Sequence, residues 1–235
     1  MSSSVPEPQF DDLSGFSGLA PLFPLPNVVL FPHLSLPLHI FEPRYRQMIA
    51  DVLEGDRLIA LALLKPGWET NYEANPEIHD MVCLAKIIAD ERLPSGRYNL
   101  VVRGVHRAVV TEELTTELPY RMSRVELYRD FYSSDANVRR DVRQRELLLG
   151  ARKLFPQSEI DPFFAQLLDA DIPLGSLCDI LSNALPLTTV AKQEVLEELD
   201  ADVRSEILLE HVHTALADQG MDSQRFAYPV RFSLN

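Results

Sequence analysis

The sequence predicts an α+β chain, a small closed or nearly closed β-sheet followed by a bundle of helices. Three observations predict it. Between Leu19 and Asp130 the apolar residues come in short runs at strand spacing, parted by Pro, Gly and Asn. After Asp130 the apolar period lengthens to that of amphipathic helices. Strands therefore precede helices instead of alternating with them, and no internal repeat is visible. The expected organisation is a flexible tail over 1–18, a β-barrel subdomain over 19–130 and a helical subdomain over 131–235.

The first ordered stretch is apolar enough for a core but holds Pro21, Pro24, Pro26, Pro32, Pro37 and Pro43. No helix tolerates that density, so this backbone is extended and turns corners. Leu34, Leu36, Leu38 and Ile40 alternate with polar residues or Pro, the period of a half-buried strand. Pro37 cannot donate a ladder hydrogen bond and places that strand at an edge or bulge. Glu42–Leu53 reads as a helix with Pro43 in its first turn. Tyr45, Met48, Ile49 and Val52 share one face, and Gly55 ends the helix. The run from Arg57 to Leu64 reads as a strand buried on both faces.

Lys65–Asp80 is a loop by its Pro, Gly and Asn content. Met81–Asp90 and Arg97–Arg103 flank Leu93-Pro94-Ser95-Gly96, a hairpin signal. Gly104 interrupts, Val105–Glu112 resumes a strand, and Tyr120–Leu127 supplies another. Helices are expected over Asp135–Phe155, Asp161–Asp169, Pro173–Asn183, Thr188–Leu199 and Asp202–Ala217. Asp161 and Thr188 suit N-caps, and Pro162 and Pro173 suit first turns.

The net charge of −13 is spread along the chain. Residues 1–130 carry 12 Lys/Arg against 18 Asp/Glu, and residues 131–235 carry 10 against 17. Such a surface repels phosphate backbones and anionic membranes. Cys83 and Cys178 sit in apolar contexts and read as buried reduced thiols. The first residues lack a signal-peptide pattern, and no apolar run approaches the ~20 residues that span a bilayer. A cytoplasmic protein is expected.

Reactive chemistry is hard to assemble. Gly-Lys does not occur, so no phosphate-cradling Walker loop exists, and there is no G-x-G-x-x-G or G-x-S-x-G. His211 and His213 stand two apart on a helix, so they do not share a face for one metal. No catalytic residue, metal or cofactor is expected. The acids Glu197, Glu198, Asp200, Asp202, Glu206 and Glu210 read as helix starts and solvated faces. Arg139, Arg140, Arg143, Arg145, Arg152 and Lys153 form a basic cluster, read as helix-surface ion pairs with a patch for an acidic partner as the alternative. Trp68 and Tyr72 are candidates for an exposed aromatic contact, or for stacking on the barrel rim. Phe23 and Phe31, in the Pro-rich segment, are further candidates for contact with extended polypeptide.

The ordered blocks Leu22-Phe23-Pro24-Leu25-Pro26-Asn27-Val28-Val29-Leu30-Phe31-Pro32 and Phe41-Glu42-Pro43-Arg44-Tyr45 resemble the start of the Lon protease N-terminal domain. So do Glu91-Arg92-Leu93-Pro94-Ser95-Gly96-Arg97-Tyr98 and Gly104-Val105-His106-Arg107. The resemblance implies a PUA-like β-barrel followed by a helical bundle. It implies recognition of unfolded or extended polypeptides, in a freestanding bacterial member without the ATPase and protease domains. On that basis the chain is expected to be non-enzymatic, an adaptor in protein quality control with a proteolytic or chaperone partner. Homo-oligomerisation stays open. The alternative is an RNA-binding PUA-like module, against which the charge weighs. Phe41, Glu42, Pro43, Arg44 and Tyr45 are expected to serve architecture, with Arg44 or Arg46 tying the strand-to-helix corner to the barrel.

Overall fold

The computed structural model describes residues 13–70, 72, 75–134, 139–155, 167 and 172–221. Six strands form one sheet. They are β1 (Leu19–Leu25), β2 (Ser35–Ile40), β3 (Leu58–Leu63), β4 (Met81–Arg92), β5 (Tyr98–Leu114) and β6 (Met122–Tyr128). Helix α1 (Pro43–Leu53) lies between β2 and β3, and α2 (Arg140–Leu154), α3 (Leu174–Ala184), α4 (Thr189–Glu197) and α5 (Ala201–Met221) follow β6.

The sheet closes on itself. β5 pairs with β4, β4 with β3, β3 with β1 and β1 with β6, and β6 returns to pair with the later half of β5. Closure removes free edges from this ring. β2 is appended to the early half of β5, from Ser35 opposite Arg103 to Ile40 opposite Tyr98. It pairs only there, so Pro37 does sit on an edge strand.

All six residues of β3 are buried, because apolar layers cover both of its faces. Ile59 and Leu61 meet Tyr45, Met48, Ile49 and Val52 of α1, with Ile87, Leu100 and Val102. Leu58, Ala60 and Ala62 meet Leu22, Val82, Leu84, Val105 and Val125 on the opposite face. Each large side chain so buried contributes about 1.5–3 kcal/mol. The helical half has its own core around Leu147, Leu177, Leu181, Leu208 and Val212. A smaller cluster joins the halves, with Val29, Phe31, Leu63 and Met81 against Val195 and Leu196 of α4. Gln193 of α4 adds a hydrogen bond from Nε2 to the Met81 carbonyl at 3.0 Å.

Several expectations are met locally. The Leu93–Gly96 turn closes the β4–β5 hairpin, with Gly96 at φ +75°. Pro43 opens α1, and Thr188 caps α4 by accepting from the Ala191 N–H at 3.2 Å. Cys83 and Cys178 are both free and buried. Burial pushes both thiols up, that of Cys178 to about 12.

Other expectations need correction. Gly104 does not divide two strands, since β5 runs through it. Its pairing with β4 shifts by one residue beside it, a bulge at Val105. The glycine is required because a Cβ there would strike the Phe31 carbonyl and Cys83. The Pro-rich segment hooks onto β5 at this point, the His33 N–H donating to Gly104 O at 2.7 Å and the Gly104 N–H to Leu34 O at 2.8 Å. At the end of α1 it is Arg57, at φ 67°, that takes the left-handed conformation instead of Gly55. Arg57 is held there by hydrogen bonds to the Ile87 carbonyl and Asp90. β6 begins at Met122, and Tyr120 is instead a buried residue whose hydroxyl donates to Asp51 of α1 at 2.8 Å. Leu13 and Phe16, expected in the loose tail, pack against the Leu22–Leu84 face. The expected tail over 1–12, Asp135 at the start of the first expected helix, and the Asp161–Asp169 helix apart from Leu167 lie outside the described residues.

Candidate functional site

The sequence motif that opened the resemblance builds a corner. The Glu42 carboxylate does not cap α1. It accepts from Arg44 Nε at 3.0 Å and from the Tyr72 hydroxyl at 2.7 Å. The Arg44 guanidinium lies 4.7 Å from the Tyr45 ring centre and 5.1 Å from that of Tyr72, a cation held by two aromatic faces. Tyr72 in turn meets Trp68 edge-on at 5.8 Å. Burial, aided by the Glu42 hydrogen bond, raises the Tyr72 hydroxyl above its ordinary pKa and keeps it a donor. Arg46 ties α1 to the β4–β5 turn through the Gly96 carbonyl at 2.6 Å. This cluster ties Tyr72 and, through it, Trp68 to the start of α1. Phe41 is 58% exposed and stacks on His39.

Phe23 and Phe31, expected at a polypeptide contact, are sealed instead. Phe23 packs edge-on to Tyr45 at 4.7 Å, and Phe31 is fully buried at the junction with α4. Prolines turn this backbone while its aromatic side chains go inward, so neither ring meets solvent. Trp68 and Tyr72 are half-buried against the Leu22–Leu84 face.

A different region emerges where the barrel meets the bundle. A cleft of about 440 Å³ opens there. Pro32 and His33 form one wall, Val105, His106 and Arg107 of β5 another, and Tyr128 to Asp130 and Tyr132 a third. Ser176 and Asp179 of α3 complete it. Its floor is an ion network that the sequence does not announce. Arg107 and Asp179, each 2% exposed, form a two-point pair at 2.6 and 2.9 Å. Arg204 of α5, fully buried, donates to both oxygens of Asp130 at 2.7 Å. Arg107 reaches Asp130 at 3.3 Å and Arg204 reaches Asp179 at 3.4 Å, so two cations and two anions close a ring. The remaining donors go to backbone, Arg107 Nε to Leu196 O and Arg204 to Glu198 O. Burial alone would raise the Asp130 carboxyl. The Arg204 hydrogen bonds and the two guanidinium charges overcome that and hold it below the usual range. Gly175 leaves room for the Asp130 carboxylate, which a Cβ there would strike.

Beyond the cleft the chain crosses to the bundle in an extended segment. Phe131 bridges Asp200, its N–H donating to Leu199 O and its carbonyl accepting from Ala201 N. Its ring is 54% exposed, beside Tyr128 and Tyr132 at 37% and 39%. Part of the neighbouring basic cluster is paired within the molecule. Arg140 pairs with Asp202 at 2.7 Å, and Arg143 bonds the Asp202 carbonyl, Ser205 and Glu206. These join α2 to α5, while Arg139 pairs locally with Asp141 at the start of α2 at 3.0 Å.

A family profile described as the ATP-dependent protease La (LON) substrate-binding domain matches residues 20–214. The chain belongs to that family. Lon protease of Heliobacterium modesticaldum is 30% identical over 193 residues, covering 81% of this chain and 23% of that protein. Lon protease 2 of Myxococcus xanthus is 27% identical over 211 residues, covering 89% of this chain and 25% of that protein. The chain thus spans about a quarter of the length of these relatives. Among solved structures, the N-terminal domain of Mycobacterium avium complex Lon protease superposes with a TM-score of 0.67 at 16% identity, over 83% of this chain and 98% of that one. The Lon N-terminal domain protein from Xanthomonas campestris gives 0.58 at 22% identity, over 82% and 97%. These likenesses support the α+β fold.

Among the described residues no helix is long and apolar enough to cross a membrane.

Proposed function

We propose that the chain is a non-catalytic polypeptide-binding module of the cytoplasm, serving as an adaptor in protein quality control. The observation that carries this reading is the open cleft at the barrel–bundle junction, lined by Tyr128 and Tyr132 with the exposed Phe131 between them in the chain, in a member of the Lon substrate-binding family. Aromatic side chains offer large contact area at small entropic cost and suit recognition of many sequences. The floor is already ion-paired without a bound chain, which lowers the cost of ordering the site. Trp68 and Tyr72 form a second, weaker candidate surface, since Tyr72 is already engaged by Glu42. RNA binding is not favoured, because the −13 charge opposes a phosphate backbone.

The test is binding of casein, an unfolded probe, to the full chain by fluorescence anisotropy. Binding is expected, and a Phe131→Ser, Tyr132→Ser double variant should weaken it by about tenfold. Absence of binding at high concentration, or identical binding by the variant, overturns the reading.

A further inference from the structure

Resting on that reading, we propose that the junction cleft selects extended segments in which an acidic side chain stands beside an aromatic one. Asp130 and Asp179, which face the cleft, are each held by two guanidinium groups, those of Arg107 and Arg204. That ring of two cations and two anions is neutral. Arg129 is left over. It lines the cleft, is exposed, and has no ion-pair partner among the described residues. His33 and His106 also line the cleft and add no negative charge. In a chain of net charge −13 the cleft is therefore a local exception, and an arriving carboxylate meets an uncompensated cation there.

The second element is a backbone-reading group. His106 Nδ1 lies 3.0 Å from the Arg107 carbonyl, which can only accept. In the tautomer that this contact selects, Nδ1 carries the proton and Nε2 is an acceptor. Nε2 makes no hydrogen bond among the described residues. A peptide N–H satisfies it, and an ionised carboxylate, which has no donor, does not. The third element is apolar area from Pro32, Tyr128 and Tyr132. A cation, an acceptor and aromatic faces around one opening complement an acidic residue, an amide N–H and an aromatic residue in extended chain.

The experiment uses the full chain and three fluorescein-labelled peptides with Gly-Ser flanks and the cores Phe-Asp-Tyr, Phe-Asn-Tyr and Phe-Lys-Tyr. Anisotropy should rank them Asp, Asn, Lys, with about fivefold or more between the ends of the series. Arg129→Glu should reverse the order. Arg97→Glu, the same charge change at the hairpin tip, should leave it intact. Equal binding of the three peptides by the unaltered chain overturns the inference while leaving polypeptide binding standing, as does an unchanged order in Arg129→Glu. If the unaltered chain binds none of them and no casein, both readings fall. The ranking on the unaltered chain decides the matter even if a variant folds poorly.

Discussion

Two arginine-centred junctions hold this molecule, and they sit in opposite electrical surroundings. At the α1 corner Arg44 and Glu42 keep 23% and 24% of their side-chain surface in solvent. At the barrel–bundle junction Arg107 and Asp179 keep 2% each and Arg204 none. Water screens the first pair, so its ionic contribution is within about 0–1 kcal/mol and the aromatic stacking matters as much. In the second cluster Arg107, Asp179 and Arg204 have lost their water while Asp130 keeps 25% of its surface, and the buried charges are tolerated because each has charged partners and both arginines also donate to backbone carbonyls. Neighbours in sequence supply the corner's ion pair and Tyr45, and Tyr72 joins them from 30 residues further on. The junction draws on β5, the 130 segment, α3 and α5. A conspicuous motif is thus no guide to where an amputated contact costs most.

Asp179→Ala carries the largest expected loss. It strands Arg107 in a dry site and should cost about 3–5 kcal/mol in urea unfolding. The double variant Arg107→Met, Asp179→Leu removes one charge of each sign and should recover most of that loss. A cost for Asp179→Ala below about 1 kcal/mol would show that the junction is wetter than its geometry implies.

Asp130→Asn should cost about 1.5–3 kcal/mol at neutral pH, the range for hydrogen bonds to charged groups. Its pH dependence has a definite sign. The folded carboxyl is held below its unfolded value of ~3.9, so its contribution is complete above that pH. It is lost as pH falls through the folded pKa. The gap between Asp130→Asn and the unaltered chain should therefore close in acid.

Gly104→Ala tests the hook between the Pro-rich segment and β5. The new Cβ meets backbone at the Phe31 carbonyl, which cannot swing aside, and a loss of about 1–3 kcal/mol is expected by thermal unfolding. Tyr72→Phe, at the exposed corner, removes one hydrogen bond to Glu42 and should cost about 0.5–1.5 kcal/mol. Arg129→Glu should change stability by less than about 0.5 kcal/mol, because Arg129 lies on the surface and has no ion pair to lose among the described residues.

Much of the barrel was legible in the chain. The Pro37 edge strand, the doubly buried Leu58–Leu63 run, the Pro43 helix start and the Leu93–Gly96 hairpin each follow from neighbours within a few residues. The candidate site was not. Phe23 and Phe31 looked like contact residues because apolar side chains in a Pro-rich stretch carry no label for inside or outside. Arg107 looked like any arginine in a strand, and Asp179 and Arg204 like ordinary charges on helices. The one local hint was Asp179 between Cys178 and Ile180, a charge inside an apolar helix face, which marks a buried partner without naming it.

Proline, glycine and apolar period act through backbone sterics and the face a side chain takes, so the amino-acid order alone determined the strands, the corners, the helices and the family signature. Which charges meet in the interior depends on how far-apart segments are brought together, and that is paid in desolvation, a quantity defined only once the fold excludes water. Tertiary structure alone therefore decided that Arg107, Asp130, Asp179 and Arg204 close a neutral ring, that Arg129 stands outside it, and that a cleft opens above them.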